Sequence, residues 1–135
     1  MIDHVILNVA DFGASRAFYA RALAPLGMRV LMEMPGGAAF GADRPVFWIA
    51  ARPPVGAPVH VALRAAGRGA VDAFHREALL AGGRDNGAPG LRPHYHPGYY
   101  AAFVLDPDGN NIEAVCHEGA PIAATPSTRP GPGPG

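Results

Sequence analysis

At 135 residues the chain is the size of one ordinary domain, and with 49% hydrophobic residues it carries enough apolar mass for a packed core. Eleven basic residues balance eleven acidic ones, so nothing in the net charge asks for nucleic acid, an anionic membrane or a strongly charged substrate. Every basic residue is arginine, so Schiff-base lysine chemistry is excluded, and the single cysteine, Cys116, excludes an internal disulfide. No segment approaches the ~18 uninterrupted apolar residues of a membrane span. Met1 leads into an alternating segment with no basic and apolar leader, so a soluble, unprocessed protein of the reducing cytoplasm is expected.

Along the chain, Val5, Leu7 and Val9 alternate with His4, Ile6 and Asn8, the period of a half-buried strand. The spacing then predicts a helix over 13–24, with Ala17, Phe18, Ala22 and Leu23 on one face and Gly27 as its stop. Strands are predicted at 28–34, 37–41 and 45–51. The pattern returns when Val59, Val61 and Leu63 alternate with His60, Ala62 and Arg64. A second helix is predicted over 69–81, stopped at Gly82-Gly83, and strands at 84–86, 99–105 and 111–116 follow. Between the last two, Asp106-Pro107-Asp108-Gly109-Asn110 has the residues of a tight turn.

The two halves are a repeat. Laying residues 60–83 on 4–27 gives eleven identities in twenty-four positions, where roughly two or three are expected by chance for this composition. Later in each copy, Asp43 meets Asp108, a register that also sets Trp48 against Glu113. The order is therefore βαβββ twice, in modules of about 1–53 and 57–118. The segment 119–135, rich in proline and glycine, reads as a tail.

Three residues with metal-ligand chemistry are predicted to open on one face. His4 and His60 are repeat-equivalent, on the polar side of the first strand of each module. On the last strand, Ile112, Ala114 and Cys116 form the core-facing set, which turns Asn111, Glu113 and Val115 the other way. Two imidazoles and a carboxylate suit a divalent ion and leave coordination positions open. Just before the seventh strand, His94, Tyr95, His96, Tyr99 and Tyr100 crowd together. Counting back from Glu113 through Phe103 and Ala101 turns Tyr99 to the polar face, provided no bulge intervenes.

The tandem βαβββ pattern over residues 1–118, with the HYHPGYYAAFVLDPDGNNIE segment (94–113), resembles the vicinal oxygen chelate superfamily of glyoxalases, bleomycin resistance proteins and extradiol dioxygenases. The resemblance implies an α+β fold in which the modules form a cupped eight-stranded mixed sheet, with helices on the convex face and ligand in the cup. It implies His4, His60 and Glu113 as ligands of a divalent metal, with iron, manganese, nickel, zinc and magnesium all open. His96 and Tyr99 are the candidate catalytic groups. Trp48, Arg64, Tyr95, Tyr100 and Phe103 are candidate substrate contacts. The resemblance also implies a homodimer, with a small molecule as ligand and neither nucleic acid nor membrane as partner.

Two positions depart from the family's patterns. Trp48 occupies the place of the fourth glyoxalase I ligand, and an indole offers only a donor, which argues against lactoylglutathione lyase activity. Phe103 occupies the place of the extradiol tyrosine, which argues against ring cleavage. Two main readings follow: a metal-dependent lyase, isomerase or dioxygenase that chelates vicinal oxygens of a small molecule, or a metal-free binding protein of the bleomycin-resistance type. A non-catalytic interaction or sensor module is a third.

Overall fold

In a computed structural model that describes residues 1–117, each repeat folds as a βαβββ unit. The first comprises β1 (Val5–Asn8), α1 (Phe12–Ala22), β2 (Arg29–Met34), β3 (Gly37–Gly41) and β4 (Phe47–Ala50). The second comprises β5 (His60–Arg64), α2 (Arg68–Leu80), β6 (Arg84–Leu91), β7 (Tyr100–Leu105) and β8 (Asn111–Cys116). The segment 119–135 lies outside the described residues.

The eight strands form two mixed four-stranded sheets, ordered β1-β4-β3-β2 and β5-β8-β7-β6. In each, the first strand runs parallel to the last, and the others pair antiparallel. β1 and β5 are the sheet edges that face a shared cleft of about 390 Å³, lined by His4 and Val5 on one side and His60 and Val61 on the other.

Three local expectations are corrected. His4 precedes β1 by one residue, and Val59 precedes β5 and is exposed, so neither first strand starts as early as its alternation suggests. β6 continues to Leu91 instead of stopping at 86, because register shifts at Gly87 and before Gly90 carry the pairing through a Gly- and Pro-containing stretch that reads as loop.

One continuous core joins the modules. It takes Leu7, Val9, Phe40, Phe47 and Ile49 from the first sheet, Val104, Ile112 and Ala114 from the second, and Phe18, Tyr19 and Phe74 from the helices. Burying each large apolar side chain contributes about 1.5–3 kcal/mol, so this shared interior binds the modules into one unit. Their approach is close at Gly83, where an added Cβ would stand 2.5 Å from Val104 Cγ1 and 2.6 Å from Phe18 Cε1. α1 is capped by Asp11, whose side chain accepts from the Ala14 amide at 3.0 Å.

A buried polar tie reinforces the joint. The Tyr19 hydroxyl, on α1, donates to Asp106 Oδ2 at the β7–β8 turn. Asp106 also accepts from the Asp108 amide at 2.9 Å and from the Asn110 amide at 2.8 Å. The aspartate is 2% exposed and fully engaged, so it shapes the turn that delivers β8.

Candidate functional site

β8 turns Ile112, Ala114 and Cys116 into the shared core and sends Glu113 and Val115 to the opposite face, as the alternation requires. Val115 packs there with Ala101, Phe103 and Tyr99. Glu113 is only 2% exposed, and both its oxygens are occupied: His60 Nε2 stands 2.8 Å from Oε1, and the Tyr99 hydroxyl donates to Oε2. An ionised carboxylate only accepts, so the imidazole donates in this contact.

His4 does not join that pair. Its Nδ1 meets Asp3 Oδ1 at 2.7 Å, although His4 and His60 line the same cleft. Among the described residues, no three histidine, cysteine, aspartate or glutamate side chains converge as a ready-made ligand cluster. Trp48 is level with Ile6 on β1, as Glu113 is level with Ala62 on β5, so indole and carboxylate occupy equivalent corners of the two modules. The Trp48 ring meets the His4 ring edge-on, centroids 6.5 Å apart.

The other candidates divide by strand face. Phe103 packs beside His60, with ring centroids 6.1 Å apart, and the Arg92 guanidinium lies 5.3 Å from its ring centre. Arg92 is held by the carbonyls of Gly90 and Ala88, at 2.9 and 2.8 Å. Tyr95 is exposed and meets Tyr99 edge-on. Arg64 is exposed at the end of β5, level with Val115. Tyr100 faces the helices: its hydroxyl donates to Asp72 Oδ1 on α2 at 2.6 Å, and Arg68 lies over its ring.

His117, one residue beyond β8, also enters this face. It stands 2.8 Å through Nδ1 from His96 Nε2, stacks on that ring with planes 5° apart, and meets Tyr99 edge-on. The period of two from Glu113 through Val115 was the signal for it. His96 Nδ1 lies 2.8 Å from the Pro97 carbonyl, which only accepts, so Nδ1 carries the hydrogen. In the neutral pair His96 Nε2 then accepts from His117 Nδ1, and His117 Nε2 keeps a lone pair.

Burial, followed by the hydrogen bond to Glu113, pushes the Tyr99 phenol up to about 12. It therefore stays protonated at neutral pH and serves as a donor. Burial, then the neighbouring His96 and Arg64 charges, holds His117 below the usual histidine value, against an opposing pull from Glu113. The face thus presents a desolvated carboxylate, a phenol donor and an imidazole biased to the neutral form.

Residues 1–114 match the family model described as the Glyoxalase/Bleomycin resistance protein/Dioxygenase superfamily. The chain belongs to this superfamily. Its structure is similar to that of a glyoxalase/bleomycin resistance protein from Albidiferax ferrireducens T118, with a TM-score of 0.76 and 27% identity, covering 85% of this chain and 98% of that one. The superfamily fold is also shared with a lactoylglutathione lyase from Agrobacterium tumefaciens, at TM-score 0.61 and 20% identity over 85% of this chain and 92% of that one. A bleomycin resistance determinant encoded on the transposon Tn5 matches at TM-score 0.59 and 21% identity, over 84% and 94% of the two chains. No curated protein matches the sequence. No helix among the described residues is long and apolar enough to cross a membrane.

Proposed function

We propose that this superfamily member is a metal-dependent enzyme of the lyase, isomerase or dioxygenase type, acting on a small molecule through vicinal oxygens, with His4, His60 and Glu113 as the ligand set. The observation that carries the reading is the 2.8 Å approach of His60 Nε2 to the buried Glu113 carboxylate, beside a cleft that the repeat-equivalent His4 also lines. Two imidazoles and a carboxylate fit a divalent ion of the iron, manganese, nickel, zinc or magnesium type. Such an ion, when bound, supplies Lewis-acid stabilisation of negative charge developing on a substrate oxygen.

The chain's own groups do the rest. Tyr99 orients Glu113 and keeps its proton available as a donor. His96 fixes the tautomer of His117, and this presents a neutral base beside Tyr99. Phe103, Val115 and Ala101 exclude water from the carboxylate's flank. A homodimer in the reducing cytoplasm completes this reading; it is supported by the unpaired, buried state of Cys116 and by the exposed apolar side chains of Met32 and Leu91.

One observation favours a second reading, a metal-free binding protein: both Glu113 oxygens are already engaged within the chain, and His4 is turned to Asp3. Turnover of 2-oxo aldehyde, epoxide and diphenol probes, followed before and after chelation, separates the two. Turnover lost on chelation and restored by a divalent ion supports the enzyme. Saturable binding without turnover under every metal condition supports the binding protein.

A further inference from the structure

A second cleft, of about 300 Å³, opens on the first sheet and is lined by Ile6, Trp48, Met34 and Arg52. Ile6 and Met34 are 45% and 42% exposed, apolar surface that an apolar ligand group would remove from water. Gly37 leaves room for Met34 to fold against β3: an added Cβ would stand 3.1 Å from the Met34 sulfur. Trp48 supplies an indole for a planar group to stack on.

Arg52 gives the cleft a charged end whose backbone is fixed. Its amide donates to the Ala50 carbonyl at 2.8 Å, and the preceding Ala51 amide donates to Gly36 at 2.8 Å. Beyond it, Asn8 Nδ2 donates to the Pro54 carbonyl at 3.1 Å. Among the described residues, the Arg52 guanidinium has no hydrogen-bond or ion-pair partner, although it borders the cleft. A guanidinium fork matches a carboxylate, and the volume, at the low end for ligand pockets of roughly 300–1,000 Å³, suits one ring with a short chain.

We propose that this cleft binds a small arylalkyl carboxylate, its ring against Trp48 and Met34 and its carboxylate on Arg52. The inference names a ligand class for the proposed function and rests on that reading only for the ligand's role, since Trp48 joins the cleft to His4 through their ring contact. Binding itself needs no metal.

Trp48 is the only tryptophan, so its fluorescence reports on this cleft and on the adjoining His4, and the Arg52 variants assign a change to the cleft. The test is a titration of the full, chelator-treated chain with 3-phenylpropionate and, separately, with the neutral 3-phenylpropanol. The expected result is a saturable change with the acid, weakened about tenfold for the alcohol and for Arg52→Ala and Arg52→Gln alike, as loss of one charged hydrogen-bonding partner implies. No saturable change, or equal binding of acid and alcohol, overturns the proposal, as does acid binding unaltered in both Arg52 variants. Because the protein is stripped of metal, a failure here is distinct from a failure of the metal centre.

Discussion

Tyr99 and Glu113, fourteen residues apart, meet through a hydrogen bond from the phenol to a carboxylate that is 2% exposed, while His60 takes the other oxygen. The acid is thus held by groups from two other parts of the chain. Replacing Tyr99 by Phe leaves one carboxylate oxygen without its donor and is expected to cost about 1 kcal/mol of stability in urea unfolding at neutral pH. Unchanged stability would show that water replaces the phenol without loss.

The same contact sets a pH dependence at the alkaline end. Because the folded-state value of Tyr99 is raised from 10.0 to about 12, its contribution is fully present below 10 and is lost as pH rises through about 12. Spectroscopic titration of wild type beside Tyr99→Phe is expected to show one phenol ionising near 12 that the variant lacks. Ionisation of that phenol near 10 contradicts the buried contact.

His117 shifts the other way. Burial and the adjoining His96 lower it from 6.5, so its neutral form stabilises the fold above that value, and the contribution is lost as pH falls through the lower folded-state value. Histidine titration by NMR is expected to find His117 below 6.5 in wild type and shifted upward in His96→Asn, where one source of repulsion is removed. A His117 that titrates at or above 6.5 in wild type would contradict the stacked neutral pair.

Much of this arrangement is legible in the sequence because it depends on period and repetition. Alternation around Ile112 and Ala114 turns Glu113 away from the core, and the repeat makes Trp48 its counterpart, as the strand registers show. Counting by twos assigns Tyr99 rather than Tyr100 to the Glu113 face. What spacing cannot convey is side-chain choice among nearby partners: His4 takes its neighbour Asp3, and His117, just after β8, pairs with His96, just before β7. β6 was hidden because Gly87, Pro89 and Gly90 signal a loop, whereas bulges let the strand pass through them.

The Tyr19–Asp106 contact joins α1 of one module to the turn of the other inside the shared core. Tyr19→Phe keeps the ring packing and removes only the donor, so a loss of about 1–3 kcal/mol is expected by thermal or chemical unfolding. Asp106→Ala, which also frees the amides of Asp108 and Asn110, is expected to cost more. Equal stability of both variants and wild type would mean that apolar packing alone holds the modules.

Trp48 marks the corner opposite Glu113. Trp48→Glu supplies a carboxylate there and is expected to raise divalent-metal affinity by about tenfold or more, as an added charged ligand implies. Metal titration of the stripped variant and wild type compares them directly. Equal affinities would show that the two modules do not face a common ion.

The most direct test of the metal centre is elemental analysis of protein purified without chelator, beside His60→Ala and Glu113→Gln, followed by divalent-metal titration of stripped samples. Near-stoichiometric metal in wild type, lost in both variants, is the expected result. Metal absent from wild type, with no binding on titration, would contradict the centre and leave the metal-free binding protein as the function of this fold.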